Sequence, residues 1–135
     1  KCIFMKLAFE AEDAIIGIVC GLLLLGLTGR FFSLKLNDYV YVIAFAALII
    51  FIFLDIINEF RDLTTHFGLI MLSILHNLID LVISLAFISH FTGWNIPYIT
   101  PILVPYLQNE SIIAGIGIFL VISNAIWLLT MPFWM

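Results

Sequence analysis

The chain has 135 residues, 64% of them hydrophobic and only 10% charged, and its mean hydropathy is +1.25. No water-soluble fold of this size tolerates that balance, so lipid is the expected solvent. The formal charge of −4, from nine acids against five bases, gives no basic footprint for nucleic acid and no polybasic patch for anionic lipid.

A hydrocarbon core about 30 Å thick takes about 20 helical residues to cross, so four spans and their connections use up the chain. The expected fold is all-α: a multi-pass integral membrane protein with four transmembrane helices in an antiparallel bundle, forming one membrane domain over residues 1–135. No room is left for a separate catalytic domain.

The chain opens at Lys1, and Glu10, Glu12 and Asp13 precede the first apolar run where a secretory signal would carry bases. A trimmed or processed start is therefore expected rather than a signal peptide. Span one is expected from about Ala14 to Phe32, with the acids at its N-terminus, where the helix dipole favours negative charge. Within it Gly17 and Gly21 form a small-xxx-small pair that lets another helix approach closely, in this chain or in a partner. Cys2 precedes the span and Cys20 lies inside it, which on a helix keeps them far beyond the ~5.5 Å of a disulfide.

A short connection, Ser33 to Asp38, leads to span two, Tyr39 to Glu59, which Asn37 or Asp38 can cap. Asp55, Glu59 and Asp62 fall within about 60° of one another on a helix, a carboxylate stripe near Arg61, Thr65 and His66. The stripe reads either as a proton-collecting mouth or cation site feeding toward Asp80, or as a solvated helix end with Arg61 pairing locally. The second connection, Arg61 to His66, is also short, so the first three helices are expected as sequential up-down-up neighbours.

Span three, Phe67 to Phe91, carries His76, Asn77 and Asp80 near its middle, where an ionisable group in lipid is costly. With about 100° per residue, Ser73, His76, Asn77, Asp80, Ser84 and His90 share one face. The opposite face carries Met71, Ile74, Leu75, Leu78, Ile79, Leu81, Val82, Leu85 and Ala86. One face is expected to meet lipid and the other protein.

The polar face has three available uses: binding metal or haem, relaying protons, or hydrogen-bonding across helices. His76 and His90 are about 21 Å apart along the axis, a spacing similar to that of di-haem b-type cytochromes. Opposing haem ligands would have to come from a dimer or a partner chain, because His66, the remaining histidine, begins the same helix. His76 and Asp80 can ligate one copper or iron from one face, with Asn124 of span four as a neighbouring ligand. Without a metal, an imidazole hydrogen-bonded to Asp80 is the simple structural alternative.

The third connection, from about 92 to 111, holds Pro97, Pro101 and Pro105, which prevent a continuous helix, and Trp94, Tyr98 and Tyr106, which suit the headgroup level. It is expected to lie along the interface or dip partly into it. Span four, Ile112 to Trp134, contains Gly115 and Gly117 as further close-approach candidates. Asn109, Glu110 and Ser111 match the glycosylation pattern, which chance explains. Lys1, Lys6 and Arg61 on one side against Arg30 and Lys35 on the other lean toward cytoplasmic termini.

The sequence has no phosphate-binding loop, dinucleotide fingerprint, CxxC, HExxH or Glu-x-x-His motif, so a self-contained enzyme is not expected. Three functional expectations follow. The chain is a small non-catalytic subunit of a larger membrane complex, such as a respiratory or other oxidoreductase assembly, with other membrane subunits or a second copy as partner. Alternatively it is an electron-transfer subunit holding haem b or copper/iron through His76, Asp80 and His90. Alternatively it is a proton or cation pathway through Asp55, Glu59 and Asp80.

Overall fold

The computed structural model describes residues 2–29, 31–61 and 67–134, with side chains described over 12–29, 31–57 and 71–129. The described chain is all-helical: α1 (Cys2–Thr28), α2 (Asp38–Arg61), α3 (Phe67–Thr92), the short α4 (Ile99–Leu103) with a 3-10 turn (Val104–Gln108), and α5 (Glu110–Trp134). Three segments are long and apolar enough to cross a membrane: Asp38–Ile57, Met71–Thr92 and Glu110–Leu129. They make this a multi-pass membrane protein by length and composition.

The helices pack as successive antiparallel neighbours, α3 on α2, α2 on α1 and α1 on α5. Direction is visible in the paired side chains. Tyr41 stacks on Phe91 and Phe45 on Phe87, while Asp55 meets Asn77, so rising numbers on α2 meet falling numbers on α3.

Each long helix buries one stripe at helical spacing. On α2 it is Tyr41, Phe45, Leu48, Ile52 and Asp55; on α5 it is Ile113, Gly117, Leu120 and Asn124. Outward faces are apolar on all four long helices, with Ile15, Val19 and Leu22 exposed on α1, Ile43, Ile50 and Phe53 on α2, Leu75 and Leu78 on α3, and Ile122 and Ile126 on α5.

Lipid gives apolar faces little reason to prefer each other, so close backbone approach and hydrogen bonds hold such a bundle together. The approach is closest between α1 and α5: a Cβ added to Gly21 would lie 2.7 Å from the Gly117 carbonyl oxygen, and one on Gly117 3.0 Å from that of Gly21. Gly17 and Gly21 thus serve packing within the chain. Gly117 is their counterpart, whereas Gly115 meets no neighbour.

Helix limits differ from expectation in two places. α1 begins well before Ala14, running through Glu10, Glu12 and Asp13, and stops at Thr28 rather than Phe32. The acids therefore lie inside the helix rather than at its start. Gly29, with φ 71°, ends it, leaving Phe31 and Phe32 exposed outside. The segment expected to be a proline-rich interfacial loop instead contains α4 and the 3-10 turn, since proline fits the first turn of a helix and Pro105 sits there. Its Leu107 is buried against the core, while Trp94, Tyr98 and Tyr106 remain exposed.

Asn37 caps α2, its side-chain oxygen accepting from the Tyr39 amide at 3.3 Å. Asn109 caps α5 in the same way, accepting from the Ser111 amide at 2.9 Å. The apparent glycosylation pattern is therefore occupied by a helix cap. The Tyr41 hydroxyl donates to the Leu34 carbonyl and accepts from the Leu36 amide, both at 3.3 Å, fastening the first connection over α2.

Candidate functional site

The polar face of α3 points into the bundle: Ser73, Asn77, Asp80 and Ser84 are all buried. The face opposite is exposed at Met71, Leu75, Leu78, Ile79 and Val82, but Ala86 is buried, because near the end of α3 the helix is also covered by the segment before α5.

The two edges of this polar face meet different helices. Asn77 turns to α2, donating from Nδ2 to Asp55 Oδ2 at 2.8 Å. Asp80 turns to α5, where Asn124 Nδ2 approaches its Oδ2 at 3.4 Å while bonding the Leu120 carbonyl at 2.8 Å. Ser84 donates to the Asp80 carbonyl at 2.7 Å, a back-bond within the helix. So the face closes on the chain's own α2 and α5.

His76 lies beside this centre. Its ring stacks on Trp127 of α5, with centroids 5.3 Å apart and planes within 14°. Its Nε2 is 3.7 Å from Asp80 Oδ2, too long for a hydrogen bond. Asp80 and Asn124 are both wholly buried. Asp80 Oδ1, Asn124 Oδ1 and His76 Nε2 have no hydrogen-bond partner among the described residues. An imidazole nitrogen and a side-chain amide thus flank the Asp80 carboxylate in the interior; the imidazole and the carboxylate can each accept a proton, and the oxygens alone suit a small hard cation.

From α1, Gly17 opens the space that Asn124 occupies: a Cβ there would sit 2.5 Å from Asn124 Nδ2. Asp13, one turn earlier on the same stripe, is also buried, as is Cys20, one turn later. Three buried aspartates, Asp13, Asp55 and Asp80, therefore come from three helices. Asp13 was legible only by following the stripe Asp13, Gly17, Cys20, Leu24 back through the acids, which as a helix start it did not invite.

Of the residues singled out by sequence, the fold brings together Asp55, His76, Asn77, Asp80 and Asn124, with Gly17 behind them. His90 lies apart, half-buried near the end of α3 with its ring edge-on to Phe91 at 5.1 Å. Glu59 belongs to α2, but its side chain lies outside the described residues, as does that of Arg61; Asp62, Thr65 and His66 lie outside them altogether. Among the described residues no three His, Cys, Asp or Glu side chains converge in a metal-binding group. Trp127 covers a face of the His76 ring.

The interior stripes change character at one level. On the side of the bundle holding both chain ends and the α2–α3 connection, they are Asp13 on α1, Asp55 on α2, Ser73, Asn77 and Asp80 on α3, and Asn124 on α5. On the other side they are Leu24, then Tyr41, Phe45 and Leu48, then Phe87, then Ile113 and Leu120, with Ser89 near the end of α3 the polar exception among the described residues. There Tyr41, Phe91, Phe87 and Phe45 form a continuous ladder, with centroid separations of 4.9, 6.2 and 5.1 Å. Beside the ladder is a half-open apolar groove of about 290 Å³, lined by Ile83, Ala86, Phe87, Leu107 and Ile116 among others.

No family model, curated protein or solved structure matches the chain.

Proposed function

We propose that this is a four-span membrane protein that moves protons or small cations, with Asp80 as the exchanging carboxylate and Asp55 and Glu59 on the way to it. The observation that carries the reading is the wholly buried Asp80, central in its span, whose Oδ1 faces no donor among the described residues. Ionisable groups at bilayer depth are expensive, and they mark ion pathways or relays more often than simple packing sites.

In this reading α1 is the fourth span. Its 27 residues reach about 40 Å, it lies against α5, and it exposes the apolar Ile15, Val19 and Leu22. The residues then divide the work. Asn77 holds Asp55 in place, and Asn124, anchored on the Leu120 carbonyl, presents its amide to Asp80. His76, held flat by Trp127, supplies a second acceptor 3.7 Å away to which a proton can pass after a small shift.

The test is flux in proteoliposomes, with proton and sodium uptake followed under an imposed gradient. Asp80→Asn is expected to lower the active flux at least tenfold. Absence of flux in the wild type would favour the other reading, a non-catalytic subunit of a larger membrane assembly.

A further inference from the structure

We infer that Asp80 exchanges with only one face of the membrane, the face bearing the two chain ends, and that the Phe87 ring is the gate toward the other. This rests on the proton or cation reading above and assigns its sidedness and its moving part.

All four long helices give the same division. From the middle of the bundle toward the chain ends, the interior offers carboxylates, amides and hydroxyls: Asp13, Asp55, Ser73, Asn77, Asp80 and Asn124. A proton or hydrated ion moving there finds a polar partner within about one helical turn at each step. Toward the far face the next interior groups past Ser84 are Phe87, Phe45, Leu48, Leu24 and Leu120, all wholly buried; the next buried polar side chain on α3, Ser89, lies beyond Phe87 and is bonded to the Trp94 carbonyl and the Thr100 hydroxyl. The aromatic ladder fills the gap between α2 and α3 and offers no hydrogen bond until the Tyr41 hydroxyl at its end. Such a dry, stacked layer is a barrier to charge.

A pathway across the bilayer needs that layer to open. Phe87 is the rung nearest Asp80, two turns along α3, and it alone of the ladder borders the half-open apolar groove of about 290 Å³ that runs from Ala86, Ile83, Leu107 and Ile116 out to the exposed Val82 and Tyr106. That space accepts a swung phenyl ring. Rotation of Phe87 into it breaks the stack on Phe45 and leaves Ser84 facing the far side.

The groups facing Asp80 are His76 on its own helix, 3.7 Å away, and the uncharged Asn124 from α5; Asp55 of α2 is held by Asn77 one turn along α3, and Asp13 and Cys20 lie on the α1 stripe on either side of Gly17, behind Asn124.

The test uses the whole chain in proteoliposomes whose orientation is fixed by a protease-sensitive C-terminal tag. The infrared carboxyl band of Asp80 is assigned by its loss in Asp80→Asn, and pH is stepped on one side with the other clamped. The band is expected to follow the pH of the chain-end side alone. A response from the far side, or equally from both, overturns the sidedness.

Ala86→Leu then fills the groove. It is expected to keep the one-sided band and cut flux at least tenfold, and unchanged flux overturns the gate. Where Ala86→Leu loses the band, and hence the fold, Ile83→Phe fills the same space and is read in the same way. A one-sided band in a wild type whose flux ignores Asp80→Asn defeats the transport reading and the gate while leaving the sidedness intact.

Discussion

The Asn124 side chain occupies the space that a Cβ on Gly17 would need, 2.5 Å from its Nδ2. The missing side chain on α1 is what lets an amide from α5 reach the carboxylate of Asp80 on α3. Gly17→Ala is therefore expected to push Asn124 off Asp80 and lower thermal stability in detergent, by about 1–3 kcal/mol for an overpacked site. Adding Asn124→Ala should recover most of that stability without recovering flux. A single Gly17→Ala variant with wild-type melting would contradict the contact.

Asn77 and Asp55 join α3 to α2 through a 2.8 Å hydrogen bond with both groups buried. A double-mutant cycle with Asn77→Ala and Asp55→Ala is expected to give a coupling of about 0.6–1.7 kcal/mol, the range of interhelical hydrogen bonds in membranes. Strict additivity of the two single variants would show that the bond contributes nothing.

Two glycines of α5, two residues apart, separate packing from mere composition. Gly117 faces the Gly21 carbonyl and Leu25, so Gly117→Ala forces the helices apart and is expected to destabilise the fold. Gly115 meets nothing within 4 Å, so Gly115→Ala is expected to be neutral or to stabilise by up to about 1 kcal/mol through helix propensity. Melting of the two variants side by side checks both signs.

With α1 as a fourth span, as proposed, both chain ends lie on one side of the membrane. Tags at the two ends are expected to show the same protease protection in sealed vesicles, and a reporter between Phe31 and Asn37 the opposite. Opposite protection of the two ends would remove α1 from the membrane.

Much of this was legible in the sequence because helical spacing is a strong signal. The polar face of α3 and the small-residue pair Gly17 and Gly21 follow from an angle of about 100° per residue. Which helix each polar group meets was not legible, since His76, Asn77 and Asp80 lie on one face yet split between α5 and α2. Asp13 was misplaced for an electrostatic reason: acids suit a helix start as well as a buried stripe, and spacing alone does not choose between them. The structured segment before α5 was missed because proline bars the middle of a helix but not its first turn. His90 lies within about 40° of His76 around the helix but not at its depth, and so falls at the far end beside Phe91.

The most direct measurement is flux through the reconstituted protein with Asp80 changed to Asn and, separately, to Glu. Asn keeps the shape and removes the exchangeable charge, whereas Glu keeps the carboxyl. At least a tenfold loss in Asp80→Asn with partial recovery in Asp80→Glu, both variants melting near the wild type, is the predicted result. Equal flux in all three would contradict the assignment of Asp80 as the exchanging group.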